Sequence, residues 1–93
     1  MSDESPLHIQ LILKNKQGLH ARAAAVFVRA LSGLSAEVSV SWQNRAVNGR
    51  SMLDLMTLGA PYGSVLEVQI NGADANTALA ALTKVVNDCF GEE

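Results

Sequence analysis

Apolar and polar positions alternate along much of this chain with two distinct periods. Leu7, Ile9, Leu11 and Leu13 alternate with His8, Gln10 and Ile12, a period of two that predicts a first strand. From Ala21 the run Ala-Arg-Ala-Ala-Ala-Val-Phe-Val-Arg-Ala-Leu is rich in helix formers. Within it Ala24, Phe27, Val28 and Leu31 recur at i, i+3, i+4 and i+7, so a first helix is expected, ending near Ser32-Gly33. Ala36, Val38, Val40 and Trp42 alternate with Glu37, Ser39 and Ser41, giving a second strand with one buried face. Gln43-Asn44 reads as a tight turn into a short third strand, Arg45 to Asn48.

Ser51-Met52-Leu53-Asp54 fits a capping box, with Ser51 as the N-cap of a short helix that runs to Leu58 and stops at Gly59. Ala60-Pro61-Tyr62-Gly63 is a turn. Leu66, Val68 and Ile70 alternate with Glu67 and Gln69 in a fourth strand, which Asn71-Gly72 breaks. From Asp74, the residues Ala75, Ala78, Leu79, Leu82, Val85, Val86 and Cys89 keep a helical period for about four turns. The element order is βαββαβα. Strands with one apolar face plus amphipathic helices imply an α+β fold, its helices packed on one side of an antiparallel sheet.

Length and composition narrow the picture. The 93 residues, 48% hydrophobic and 17% charged, suit one globular domain with one core, preceded by a loose polar leader at 1–6. A net charge of -2 argues against a general nucleic-acid binder. Lys14, Lys16, Arg22, Arg29, Arg45 and Arg50 lie in the first 50 residues, which suggests a basic face around the start of the first helix, suited to phosphate and to an acidic protein partner. Cys89 is the only cysteine, so no internal disulfide forms; on the apolar side of the last helix it reads as a buried structural thiol. No signal segment or membrane-length apolar run is present, so a cytoplasmic protein with no membrane insertion is expected.

One stretch carries chemistry: Gly18-Leu19-His20-Ala21-Arg22-Ala23-Ala24. Gly18 suits a sharp loop exit, and His20 falls at or near the N-cap of the first helix. The first N–H groups of a helix lack intrahelical partners and the dipole there is positive, so an anion is stabilised. Arg22, in the first turn, can add charge-assisted hydrogen bonds. The same positive end disfavours imidazolium and keeps the ring a neutral nucleophile near pH 7. An ordinary histidine at a helix start, capping it or facing solvent, would look the same.

The segment Gly18 to Arg22, followed by Ala23-Ala24, resembles the active-site motif of the HPr family of histidine-containing phosphocarriers of bacterial phosphoenolpyruvate-dependent phosphotransferase systems. A second segment, Val47-Asn48-Gly49-Arg50-Ser51-Met52-Leu53-Asp54-Leu55-Met56-Thr57-Leu58-Gly59, resembles the family's regulatory-serine helix. The likeness runs from about Leu7 to the last helix. It departs at Ala23, where the family usually has proline; alanine fits the helix with less rigidity. The resemblance implies an open-faced α/β sandwich, a four-stranded antiparallel sheet of order 1-4-2-3 with three helices on one face. It implies no cofactor, and a phosphoryl group carried on Nδ1 of His20, steadied by Arg22 and by the backbone N–H groups of Ala21 and Arg22. The donor would be enzyme I and the acceptor an EIIA-type domain. The protein would be a stoichiometric carrier rather than an enzyme.

Two further features stay open at this point. Met52, Leu53 and Met56 fall opposite the buried stripe of Leu55 and Leu58. They either form an exposed partner surface beside His20, together with Ala24, or pack under the loop before the first helix. Ser51 is sufficient as a plain N-cap; the resemblance also implies phosphorylation by an HPr kinase/phosphorylase, which would add about two negative charges at the docking surface. His8 reads as an exposed strand residue, and Phe27 and Trp42 as core or sheet-edge packing. Competing readings are a nitrogen-regulatory paralogue, or a purely regulatory interaction protein acting through Ser51 and the Met52/Leu53/Met56 surface. A small metal-binding or ligand-binding α/β module ranks far behind. One cysteine and two distant histidines have no ligand spacing, and no Gly-rich phosphate loop is present.

Overall fold

A computed structural model describes residues 6–92. The strands are β1 (Leu7–Ile12), β2 (Glu37–Trp42), β3 (Arg45–Asn48) and β4 (Val65–Asn71), and the helices are α1 (Ala21–Ala30), α2 (Met52–Leu58) and α3 (Ala75–Asn87). The elements follow the expected order βαββαβα, and a short left-handed turn at Cys89–Gly91 follows α3. The leader assigned to 1–6 lies outside the described residues except for Pro6.

All pairings in the four-stranded sheet are antiparallel, and its order is β1-β4-β2-β3. Register follows from which face is buried. In β4, Leu66, Val68 and Ile70 are buried while Val65, Glu67, Gln69 and Asn71 are exposed. A slip of one residue would turn all three apolar side chains to solvent. The same logic aligns Leu11 with Leu66 and Val40 with Val68 on the buried face. The β2–β3 connection is the expected two-residue turn, with Gln43 at φ 51 and Asn44 at φ 65, the positive pair that matches strand twist in tight hairpins.

The helices cover the apolar face. Ala23, Ala24 and Phe27 of α1, Leu55 and Leu58 of α2, and Ala78, Leu82 and Val86 of α3 meet Leu11, Val38, Val40, Leu66, Val68 and Ile70 of the sheet in one core. No helix among the described residues is long and apolar enough to cross a membrane.

Three expectations are corrected. The last helix ends at Asn87, not at Cys89. Cys89 sits in the following turn at φ 54 and is only half-buried, while Phe90 takes the buried position. The periodicity overran because an apolar residue in a tight turn can occupy the next site on the helix stripe. The capping box at α2 forms only in part: Ser51 Oγ accepts from the Asp54 N–H at 3.1 Å, but the Asp54 carboxylate accepts from Asn48 N at 3.4 Å. Finally, Arg45 and Arg50 do not join a basic face at His20. Arg45 donates to Thr57 O, and Arg50 donates to the carbonyls of Leu31, Leu34 and Ala36, binding the end of α1 opposite His20. Carbonyls past a helix C-terminus need donors, and a guanidinium supplies several from one plane.

Burial sets the expected response to truncation. Phe27→Ala, at a site with 0% exposure, should cost about 3–5 kcal/mol. Leu53→Ala, at 71% exposure, should change stability by no more than about 0.5 kcal/mol. Urea unfolding of the two variants measures both.

Candidate functional site

The site is assembled by the loop between β1 and α1. Leu19 is buried in the core, and its N–H donates to Ala60 O at 2.9 Å, just past the end of α2. The preceding Gly18 adopts φ 68, and a Cβ there would lie within 3.0 Å of Ala60 O and Pro61. Both the left-handed backbone and the missing side chain are therefore required. A tight turn follows, in which the His20 N–H donates to Gly18 O at 2.9 Å.

His20 is the N-cap of α1, with extended backbone at φ -91 and ψ -173. Its carbonyl accepts the first helical hydrogen bond, from Ala24 N at 2.8 Å. Its side chain does not cap the helix. No acceptor among the described residues meets the N–H groups of Ala21, Arg22 or Ala23. Ala21 and Arg22 are exposed while Ala23 is fully buried, so the helix presents two open donors at the positive end of its dipole. Arg22 is exposed and forms no ion pair among the described residues. The ring of His20 is 29% exposed, open on one side and supported on the other.

That support was not visible in the sequence. Nε2 of His20 lies 2.8 Å from Oε2 of Glu92, 72 positions away. The other carboxylate oxygen, Oε1, accepts from Asn15 Nδ2 at 3.2 Å, and the same amide donates to Gly18 O at 2.6 Å. Asn15 is 2% exposed, so it is a fixed post between the loop and the chain end. No local pattern marks either residue, because their roles exist only once the chain end folds back.

The remaining candidates separate. Met52, Leu53 and Met56 are exposed at 41%, 71% and 38%, an apolar patch on the outer side of α2. They do not pack under the loop. Ala24 does not belong with them: it is 0% exposed, on the face of α1 that meets the core, and its assignment to a partner surface is withdrawn. Ser51 is half-buried at the start of α2, its hydroxyl serving as the helix cap. His8 is exposed beside Gln69, with Nε2 to Nε2 at 3.1 Å, remote in sequence and in the sheet from the α1 loop.

An open-faced sandwich with a part-exposed histidine at the start of its first helix is the arrangement that the resemblance to the phosphocarriers predicts. Comparison with known proteins agrees. Residues 7–88 match the family described as the PTS HPr component phosphorylation site. The chain is 39% identical to the phosphocarrier protein HPr of Xylella fastidiosa over 94% of its own length and 98% of that protein's. It is 45% identical to HPr of Neisseria meningitidis, over 84% and 88% of the two chains. The crystal structure of HPr-C-His from Thermoanaerobacter tengcongensis superposes with a TM-score of 0.88 at 38% identity, over 94% of this chain and 98% of that one. HPr of Bacillus anthracis gives 0.81 at 31% identity, over 87% and 96%. The chain belongs to the HPr family of phosphocarriers of the phosphotransferase system.

The loop geometry can be tested directly. Gly18→Ala should lower stability by more than about 1 kcal/mol, since it adds a clash to a left-handed backbone. Ser51→Ala, which removes only a cap, should cost about 1 kcal/mol. Both read out as a lower urea midpoint with unchanged slope.

Proposed function

We propose that this chain accepts a phosphoryl group on Nδ1 of His20 from phosphorylated enzyme I and passes it to an EIIA-type acceptor. The observation that carries this reading is the pairing of a part-exposed imidazole with two exposed, unmet N–H groups, those of Ala21 and Arg22, on the same helix end. Phosphoryl transfer through a loose transition state needs positioning and electrostatic stabilisation more than covalent help. Ala21 and Arg22 supply aligned backbone donors, and the Arg22 guanidinium is free to close over the oxygens.

Met52, Leu53 and Met56 form the docking surface in this reading. Ala60, whose carbonyl holds the loop before His20, follows α2 directly after Gly59, so the patch and the site share one support. Ser51 at the head of the patch is the regulatory position, phosphorylated by an HPr kinase/phosphorylase. A phosphate there would rest on the start of α2 and place negative charge against an acidic partner without unfolding the helix.

Incubation with enzyme I, phosphoenolpyruvate and Mg²⁺ should add one acid-labile phosphate by intact mass, and His20→Ala should gain none. Arg22→Ala should still be phosphorylated, at least about tenfold more slowly, the scale of one lost charge-assisted hydrogen bond. No gain by the wild-type chain with a competent enzyme I would defeat the reading. Incubation with an HPr kinase and ATP should place a phosphate on Ser51; its absence removes the regulatory part alone.

A further inference from the structure

The last described residues fold in an unusual way. After α3 ends at Asn87, Cys89, Phe90 and Gly91 all take left-handed backbone, at φ 54, 58 and 77. Two of these are not glycine, and a run of such residues is sterically disfavoured. The turn is closed by Gly91 N to Asp88 O and Glu92 N to Cys89 O, both 2.9 Å. Phe90, 3% exposed, anchors it in the core. The result of this conformation is that the chain reverses and Glu92 meets His20.

We infer that Glu92 is a positioning residue for phosphoryl transfer: it fixes the tautomer of His20 and faces the charge that the ring acquires. This rests on the phosphocarrier reading above. A carboxylate has only lone pairs to offer, so the 2.8 Å contact makes Nε2 the protonated nitrogen. The lone pair of the neutral ring is then on Nδ1, the nitrogen that Glu92 leaves free. The second carboxylate oxygen is held by the buried Asn15 amide, so the carboxylate resists rotation and holds the ring plane with it. Only 18% of the Glu92 side chain is exposed, so the pair is partly shielded from solvent.

The transfer step makes use of this. The Nδ1 lone pair forms the new N–P bond as the bond from phosphorus to the donor atom of enzyme I breaks, and that electron pair stays with the donor. His20 keeps its Nε2 proton, so its ring becomes a phosphorylated imidazolium. Glu92 lies against the N–H that shares this positive charge, on the ring edge away from the phosphoryl oxygens. It plays toward His20 the part that a buried carboxylate plays toward a histidine base in hydrolytic triads, which is to orient the ring and stabilise its cation. The helix end and Arg22 stabilise the phosphate while Glu92 stabilises the ring.

Nitrogen-15 NMR of the His20 ring at pH 8, with His8 as internal reference, tests the contact without any partner protein. The wild-type ring should show one tautomer, protonated at Nε2, and Glu92→Ala should show a mixture while His8 is unmoved. Single-turnover transfer from phosphorylated enzyme I should slow roughly tenfold in Glu92→Ala, the lower end of what loss of the hydrogen-bond partner behind a metal-ligating histidine costs. Glu92→Gln, which keeps an acceptor but no charge, should retain the tautomer and recover only part of the rate. An unchanged His20 spectrum in Glu92→Ala overturns the inference, and so does a changed spectrum with an unchanged transfer rate. Failure of the wild-type chain to take phosphate would instead defeat the phosphocarrier reading, leaving the spectrum to report whether Glu92 holds the ring.

Discussion

The hydrogen bond from Leu19 N–H to Ala60 O, with Leu19 sunk in the core, fixes where α1 begins. A helix that starts one residue earlier or later would put a different side chain at its N-cap. Gly18 makes the bond possible, since no Cβ fits between the loop and the Ala60–Pro61 backbone. The loop is tied a second time through Asn15, whose amide holds the Gly18 carbonyl. Two anchors on either side of a left-handed glycine leave His20 little freedom, which is the preorganisation that a site relying on electrostatics requires.

This constraint explains how the rest of the molecule is spent. The sheet and its one apolar face give α1 a bed, through Ala23, Ala24 and Phe27. Small side chains at 23 and 24 let the first turn lie close on the core, which is why Ala24 is inaccessible to a partner. Arg50 secures the far end of the same helix by donating to three carbonyls. Basic residues that looked alike along the sequence therefore divide by task. Arg50 and Arg45 hold backbone, while Arg22 is left without a partner among the described residues, at the one helix end where anions are favoured.

Most of the fold was open to a reading of periodicity. The alternation in β1, β2 and β4 and the stripes of α1 and α3 each name one buried face, and burying those faces together leaves few architectures. The limits of that reading are equally specific. The stripe of α3 ran on to Cys89 because spacing records which residues are apolar, not where the backbone stops being helical. Asp54 fitted a reciprocal capping box by position, yet the Ser51 N–H already donates to Asn48 O, and the Asp54 carboxylate accepts instead from Asn48 N at the end of β3. For Met52, Leu53 and Met56 the sequence allowed either exposure or burial under the loop, and only the packing of α2 through Leu55 and Leu58 put them outside.

By itself the sequence determined the secondary structure, the class of fold, and the chemistry of the first helix start, because each depends on neighbours within a few positions. His20, Arg22 and the unmet amides of a helix end are all local. Tertiary structure alone decided what surrounds them. The contact between His20 and Glu92 joins residues 72 positions apart, through a left-handed turn that no propensity favours and a buried Asn15 with no local signature. Side-chain spacing encodes which face of an element is buried; it carries no information on which distant carboxylate is brought to a ring nitrogen once those faces have packed.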